Sequence, residues 1–413
     1  SDGDGDEGGD ALAETPSAER CGAPADATVP HAAVARGHCA WVFAEDLSTP
    51  RGLTSVKTSE GRTEALVVER RESRVTALWD DDGDRVAGED ERAVIAGANG
   101  LNHGVLVHDG WLYASSDTTV FRWKYTPGEH DSLGEPTVVV RGLPPGGHST
   151  RTLAADDEWL YVQVGSGGNV DDDSSRSRIV RYRLEELDAG ARTWKQGKLF
   201  ADGLRNEVGL DWGPKDRLWG VENGRDNLKR DDLGGDIHAD NPSEELNLFA
   251  EPGKFYGYPY CWSEFRLPDD IGRGPGTEWA DPKFMDDGTH TDEWCRDESN
   301  VVPPELAMQA HSAPLDLLFW EGGDLGGDYE GDAFVSFHGS WNRPTPTGYK
   351  VVRIPFDGTE PQGVGPFLEH AGPEATEEDA WPHRPVGLAA GPNGELLVSS
   401  DRSDVVLAVA KTR

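Results

Sequence analysis

One phrase recurs six times along this chain and constrains its fold more than any other feature. It opens on polar, Pro or Gly residues, passes through a small apolar patch to a Gly, Asp or Asn turn, and ends in an apolar strand finishing on small residues. Copies stand at Pro50-Arg51-Gly52-Leu53, from His103 (HGVLVHDGWLYASS), from Arg151 (RTLAADDEWLYVQVGS) and from Asn206 (NEVGLDWGPKDRLWGVEN). Two more begin at Ser312 (SAPLDLLFWEG, running on to GDAFVSFHGS) and at Arg384 (RPVGLAAGPNGELLVSSD). With Leu53, Val105, Leu153, Leu210, Leu315 and Leu388 taken as equivalent, the first three intervals lie close together and the last two are longer. A spacing of about 50 residues suits one four-stranded sheet per copy, with insertions where the interval grows. Alternating strands such as RIVRYRL (178–184) and YKVVRIPF (349–356) lie between copies, and long helical stripes are absent. The expected fold is therefore all-β, a six-bladed β-propeller in a single domain over residues 21–413, closed by N-terminal strands against the last blade.

The longest interval contains residues 262–300, a Pro/Gly/Asp-rich stretch bracketed by Cys261 and Cys295. A loop of that length without periodicity is usually functional or stapled, and a disulfide at its base would staple it. The four cysteines, Cys21, Cys39, Cys261 and Cys295, lack CxxC and CxxCH spacing, which argues against a zinc ribbon and covalently attached haem. Two disulfides made in an oxidising compartment are expected, with four buried thiols as the alternative. Residues 1–20 are acidic, Gly-rich and without periodicity, so they read as a disordered tether. Such a spacer suits an extracellular or cell-surface protein tethered to a membrane through a segment ahead of Ser1.

Charge narrows the partners. The 413 residues carry 76 Asp plus Glu against 39 Lys plus Arg, a formal charge of −37. That excess excludes a general nucleic-acid binder, whose affinity comes from cations laid along phosphates. Lysine is scarce, and 14 Trp, 12 Phe and 9 Tyr supply ample core material, so the acidity reads as adaptation to concentrated salt rather than disorder. The run Asp80-Asp81-Asp82-Gly83-Asp84 reads as a hairpin turn on that acidic surface, without the Glu that closes an EF-hand loop at its twelfth position.

A propeller gathers the residues flanking each repeated phrase around one funnel. These are His103, His148 with Arg151, Arg205 with Asn206, His311, and Arg384. Arginines converging in a protein poor in cations would make a local positive pocket and favour an anionic ligand. Two segments are the richest in Gly, amide and Arg: residues 203–259, containing GLRNEVGLDW, ENGRD, SEELN and GKFYGYP, and residues 338–352, containing HGSWNR and GYKVV.

At these motifs the chain resembles the soluble quinoprotein glucose/sorbosone dehydrogenases that use pyrroloquinoline quinone (PQQ), from about Leu53 to Val409. The resemblance implies a six-bladed propeller with PQQ in its funnel, His148 as general base, and Arg205 and Asn206 on the quinone oxygens, with Arg205 polarising the oxygen that gains charge. It also implies cations on the cofactor's carboxylates. Arg384 matches one, while the family's lysine has no counterpart, leaving Arg343 and then Lys350 as substitutes. Ca2+ would bridge PQQ and backbone carbonyls at Gly224 and Arg225, with Glu245 serving a second, structural calcium. The implied activity is oxidation of an aldose or related polyol, with electrons passed to an external quinone or small redox protein. A calcium-dependent lactonase-like hydrolase and a non-catalytic sugar- or protein-binding propeller are the alternatives.

Overall fold

The computed structural model describes residues 11–372 and 381–413. Six sheets, antiparallel except for a short parallel pair at the outer edge of blades 2 and 3, surround one axis, each led by an inner strand: Pro50–Lys57, Leu101–His108, Leu153–Ala155, Glu207–Gly213, Pro314–Phe319 and Pro385–Ala390 in blades 1 to 6. These strands carry the six copies of the repeated phrase. Blade 6 takes its outer strand from the other end of the chain, His38–Ala44 pairing antiparallel with Val405–Lys411 so that Trp41 faces Ala408. That pairing closes the ring.

Both faces of each sheet are buried because each sheet is sandwiched between two others. Along Thr63–Glu69, Ala65 and Val67 pack with Trp41, Phe43 and Val406 of blade 6, whereas Leu66 and Val68 pack with Leu112, Ala114 and Trp123 of blade 2. The strand therefore reads as a continuous apolar run rather than an alternation. The inner strands crowd most tightly, and small residues make this possible. A Cβ at Gly52 would stand 2.2 Å from the His103 carbonyl oxygen, and one at Gly387 would stand 2.5 Å from that of Arg51. Side-chain hydroxyls then tie neighbours together, as where Ser399 donates to the Arg51 carbonyl at 2.5 Å.

The N-terminal segment departs from the expected tether. Leu12–Glu14 pairs with Ala32–Ala35 on the outer edge of blade 5, and Ala18 and Cys21 are fully buried in the seam between blades 6 and 1. Small apolar side chains and the Cys21–Cys39 disulfide draw this stretch into the seam; residues 1–10 lie outside the described residues. The second disulfide, Cys261–Cys295, closes the long insertion as anticipated. Within that insertion Cys261–Ser263 pairs with Glu278–Ala280, and Trp262 and Trp279 pack with Leu228, Leu233 and Leu267. The acidic turn also differs from expectation. Glu91 is the twelfth residue counted from Asp80, and its carboxylate folds back to accept the N–H groups of Asp81 and Asp82 at 2.6 and 3.2 Å.

Arg85 clamps the closure. It is almost fully buried, donates to the Cys21 carbonyl at 2.6 Å, pairs with Asp324, and lies 3.6 Å from buried Glu395. Arg85→Met strands that carboxylate without its cation and is expected to lower unfolding free energy by about 3–5 kcal/mol. Urea denaturation checks this, and Glu395→Gln should recover part of the loss in the double variant.

Candidate functional site

Inner strands begin at one mouth of the propeller, and the connections entering them carry the site. His148 precedes the inner strand of blade 3, and Arg205 and Asn206 precede that of blade 4. All three meet at Gly165. A Cβ there would lie 2.7 Å from the His148 Cβ, 2.8 Å from the Asn206 Oδ1 and 3.2 Å from the Arg205 carbonyl oxygen, so only glycine lets them converge.

Hydrogen bonds fix the tautomer of His148. Ser166 Oγ donates its single proton to the Gly168 carbonyl at 2.6 Å, so toward His148 Nδ1, 2.9 Å away, it accepts. His148 therefore carries its proton on Nδ1 and offers the Nε2 lone pair, the arrangement a base needs. Burial and then the Arg205 charge lower its pKa to about 4, so it is neutral at physiological pH.

Arg205 is buried and held on every side. Its guanidinium donates to the carbonyls of Asn169 and Asn223 at 3.1 Å each, to Asn169 Oδ1 at 3.2 Å, and to Asp226 at 3.0 Å. Asp226 also accepts from Asn342 at 3.0 Å, which brings the HGSWNR loop of blade 5 against the blade 4 site. One end of the Asn206 amide, Oδ1, is buried without a described partner.

Across the mouth lies a second group. Arg384 donates to the carbonyls of His338 and Gly339 at 3.0 and 2.8 Å and stands over the Tyr349 ring. His338 Nε2 donates to Asp401 at 2.9 Å, and Arg51 donates to the other oxygen of that carboxylate at 2.6 Å. Burial would raise the Asp401 pKa, but His338 and Arg51 together hold it far below the usual range. Nothing in the sequence joins His338, Asp401 and Arg51 into a unit, because they are distant from one another along the chain.

Two further cations are paired with carboxylates. The Arg343 guanidinium pairs with Asp240 at 2.9 Å, and the Lys350 ammonium lies 3.7 Å from Glu369 of an outer strand of blade 5.

Gly224, Arg225 and Glu245 line one small cavity of about 20 Å³ together with Arg205, Glu222 and Asp281. The Gly224 N–H donates to Glu244 at 2.7 Å, and Arg225 pairs with Asp281 at 2.5 Å. Among the described residues no donor reaches the carbonyl oxygens of Gly224 or Arg225. Burial raises the Glu245 carboxyl to about 7 and the Glu244 carboxyl to about 8, so this wall gathers protons or another positive charge. A larger cavity of about 770 Å³ opens beyond the later halves of the inner strands, at the opposite end of the axis. There Asp211 and Asp316 each accept an N–H from the next blade, at 2.7 and 2.8 Å, so these two carboxylates serve the packing of blades, while Glu321 also lines the cavity.

Comparison with known proteins agrees with this architecture. A family profile described as TrAA12-like matches residues 32–412. The chain is 30% identical over 407 residues to a pyrroloquinoline quinone-dependent pyranose dehydrogenase of Coprinopsis cinerea, an alignment covering 88% of this chain and 52% of that protein. It thus spans about half the length of that curated relative. The holo form of the pyranose dehydrogenase PQQ domain from Coprinopsis cinerea superposes with a TM-score of 0.79 at 29% identity, covering 94% of this chain and 99% of that one. A calcium structure of the Trichoderma reesei carbohydrate-active enzyme family AA12 gives the same TM-score and identity, covering 93% and 98%. With the profile spanning nearly its whole length and the propeller geometry to match, this chain belongs to the TrAA12-like family.

Proposed function

We propose that this protein is a PQQ-dependent sugar dehydrogenase, oxidising an aldose or related polyol and passing electrons to an external acceptor. The observation that carries this reading is the convergence of His148, Arg205 and Asn206 on Gly165. The residues fit the cofactor. A quinone with three carboxylates needs hydrogen-bond donors at the ring oxygens and cations at the rim. The mouth supplies Arg205, the buried Asn206 amide, whose Nδ2 end is the donor, and Arg384. The relatives named for PQQ support the same assignment.

When bound, PQQ would supply the hydride acceptor. The chain's own residues would do the rest. Neutral His148 takes the substrate's hydroxyl proton at Nε2, and Ser166 holds the ring so that this nitrogen faces outward. Arg205, already surrounded by fixed acceptors, would hold the cofactor through its charge and favour negative charge there, with little reorganisation. An imidazolium beside Arg205 is unfavourable, so His148 releases its proton readily and returns to the neutral form.

Calcium belongs to the same proposal. Gly224, Arg225, Glu222 and Glu245 line one cavity and carry hard oxygen donors of the kind it prefers, so the calcium expected at Gly224 and Arg225 and the second one expected at Glu245 would fall at the same place. The cavity they line exceeds the ~10–15 Å³ that a single water-sized occupant needs. The two disulfides favour an oxidising location, outside the cytoplasm.

Purified protein loaded with PQQ and calcium in molar salt should reduce an artificial dye when offered aldoses. No dye reduction with any sugar, together with lactone hydrolysis in the absence of PQQ, would replace this reading with a hydrolase. Sugar binding without either activity would make the chain a binding propeller.

A further inference from the structure

We propose that Trp341 is a stacking platform for a second sugar ring, so that the preferred substrates are disaccharides or the ends of longer saccharides rather than free monosaccharides. The inference rests on the sugar-oxidising reading above and names its substrate class. Trp341 is 75% exposed, the most exposed large apolar side chain among the described residues. Nothing in the packing of blade 5 explains a tryptophan there.

The loop that carries Trp341 is built rather than slack. At its base, Gly339 and Gly348 have φ of 104° and 84°, and a Cβ on Gly348 would stand 2.6 Å from the Gly339 Cα. Only paired glycines let the two limbs close at that distance. Ser340 then donates its N–H to the Thr347 carbonyl at 2.8 Å, and its own carbonyl accepts the Tyr349 hydroxyl at 2.5 Å. On the other side of the tryptophan, Asn342 donates to Asp226 at 3.0 Å while its carbonyl lies 3.3 Å from His238 Nε2. Trp341 is therefore fixed between two anchored neighbours. One of them shares Asp226 with Arg205, which puts the indole at the rim of the mouth and not in its floor.

A flat aromatic face at that height suits the C–H face of a pyranose ring. Arg343 and Asp240, paired at 2.9 Å beside it, offer donors and acceptors to ring hydroxyls. The ring being oxidised would sit deeper, at His148. The ring glycosidically linked to it would reach Trp341.

Trp341→Ala should raise KM for a disaccharide by about tenfold or more, leave kcat within about twofold, and leave KM for the matching monosaccharide unchanged. Trp341→Phe should recover most of the loss. The second readout needs no turnover. Calorimetric titration of a disaccharide into protein without added PQQ should give tighter binding than the monosaccharide, and Trp341→Ala should abolish the difference. Equal losses for both sugars would place Trp341 against the reacting ring and overturn the proposal, as would no loss for either. If the wild-type protein oxidises no sugar at all, the sugar-oxidising reading fails, and the calorimetric comparison still decides whether Trp341 binds a second ring.

Discussion

Arg205→Ala is expected to lower kcat/KM for sugar oxidation by roughly 10³-fold and to weaken PQQ binding by at least about tenfold. Removal of one preorganised donor facing developing charge costs about 10²–10³ in rate, and Arg205 also contributes charge to cofactor binding. Its setting argues for the upper end of that range. The side chain is 5% exposed, every described contact of its guanidinium is a fixed acceptor, and Asp226 would lose its cation. Arg205→Lys separates charge from geometry. A lysine keeps the charge but loses the planar fork, so it should restore part of the cofactor affinity and less than about a tenth of the turnover. Equilibrium titration with PQQ and steady-state dye reduction read the two effects separately. A variant that binds PQQ normally and turns over normally would contradict the assignment of Arg205.

His148→Ala should leave PQQ affinity within about threefold and lower kcat by 10²–10⁴-fold, the range for loss of a positioned general base. The pH profile distinguishes this from a structural effect. The folded imidazole titrates at about 4, so kcat/KM in the wild type should rise with pH through that value and stay level across neutrality. The variant should lose that acid limb. Stability follows the same shift with the opposite emphasis. Because the group stays neutral in the folded state while its unfolded form titrates near 6.5, the unfolded chain binds more protons between those values and stability falls as pH drops through that interval. His383, also lowered to about 4 by burial, adds to the fall. The buried carboxyls act from the other side. Burial raises Glu244 and Asp316 to about 8, so their contribution is complete in acid and is lost as pH rises toward that value.

The propeller was readable from the chain because the crowding of inner strands imposes a residue pattern. Gly52, Gly104, Gly209 and Gly387 precede the equivalent apolar positions, and each faces backbone of the next inner strand at a distance no Cβ tolerates. Glycine thus meets a steric requirement at four of the six copies, with Thr152 and Pro314 at the other two. His148, Arg205, Asn206 and Arg384 were readable for a related reason, since they sit at fixed offsets before those strands. What the sequence could not show was pairing between blades. Arg51 and Asp401 meet only because the ring closes, and Asn342 reaches Asp226 only because the blade 5 loop bends toward blade 4. Arg343 and Lys350 were readable as cations of the 338–352 segment, but their pairing with Asp240 and Glu369 was not, since an acidic surface offers carboxylates at many points. The tether reading of residues 11–20 failed because composition hides one small buried side chain, Ala18, that locks into a seam beside Cys21.

The most direct test is an equilibrium titration of the purified protein with PQQ in the presence of calcium, followed by the absorbance of the bound cofactor. One equivalent should bind per chain, weakened at least about tenfold by Arg205→Ala and nearly unchanged by His148→Ala. Absence of binding to the wild-type protein, or undiminished binding to Arg205→Ala, would contradict the PQQ assignment.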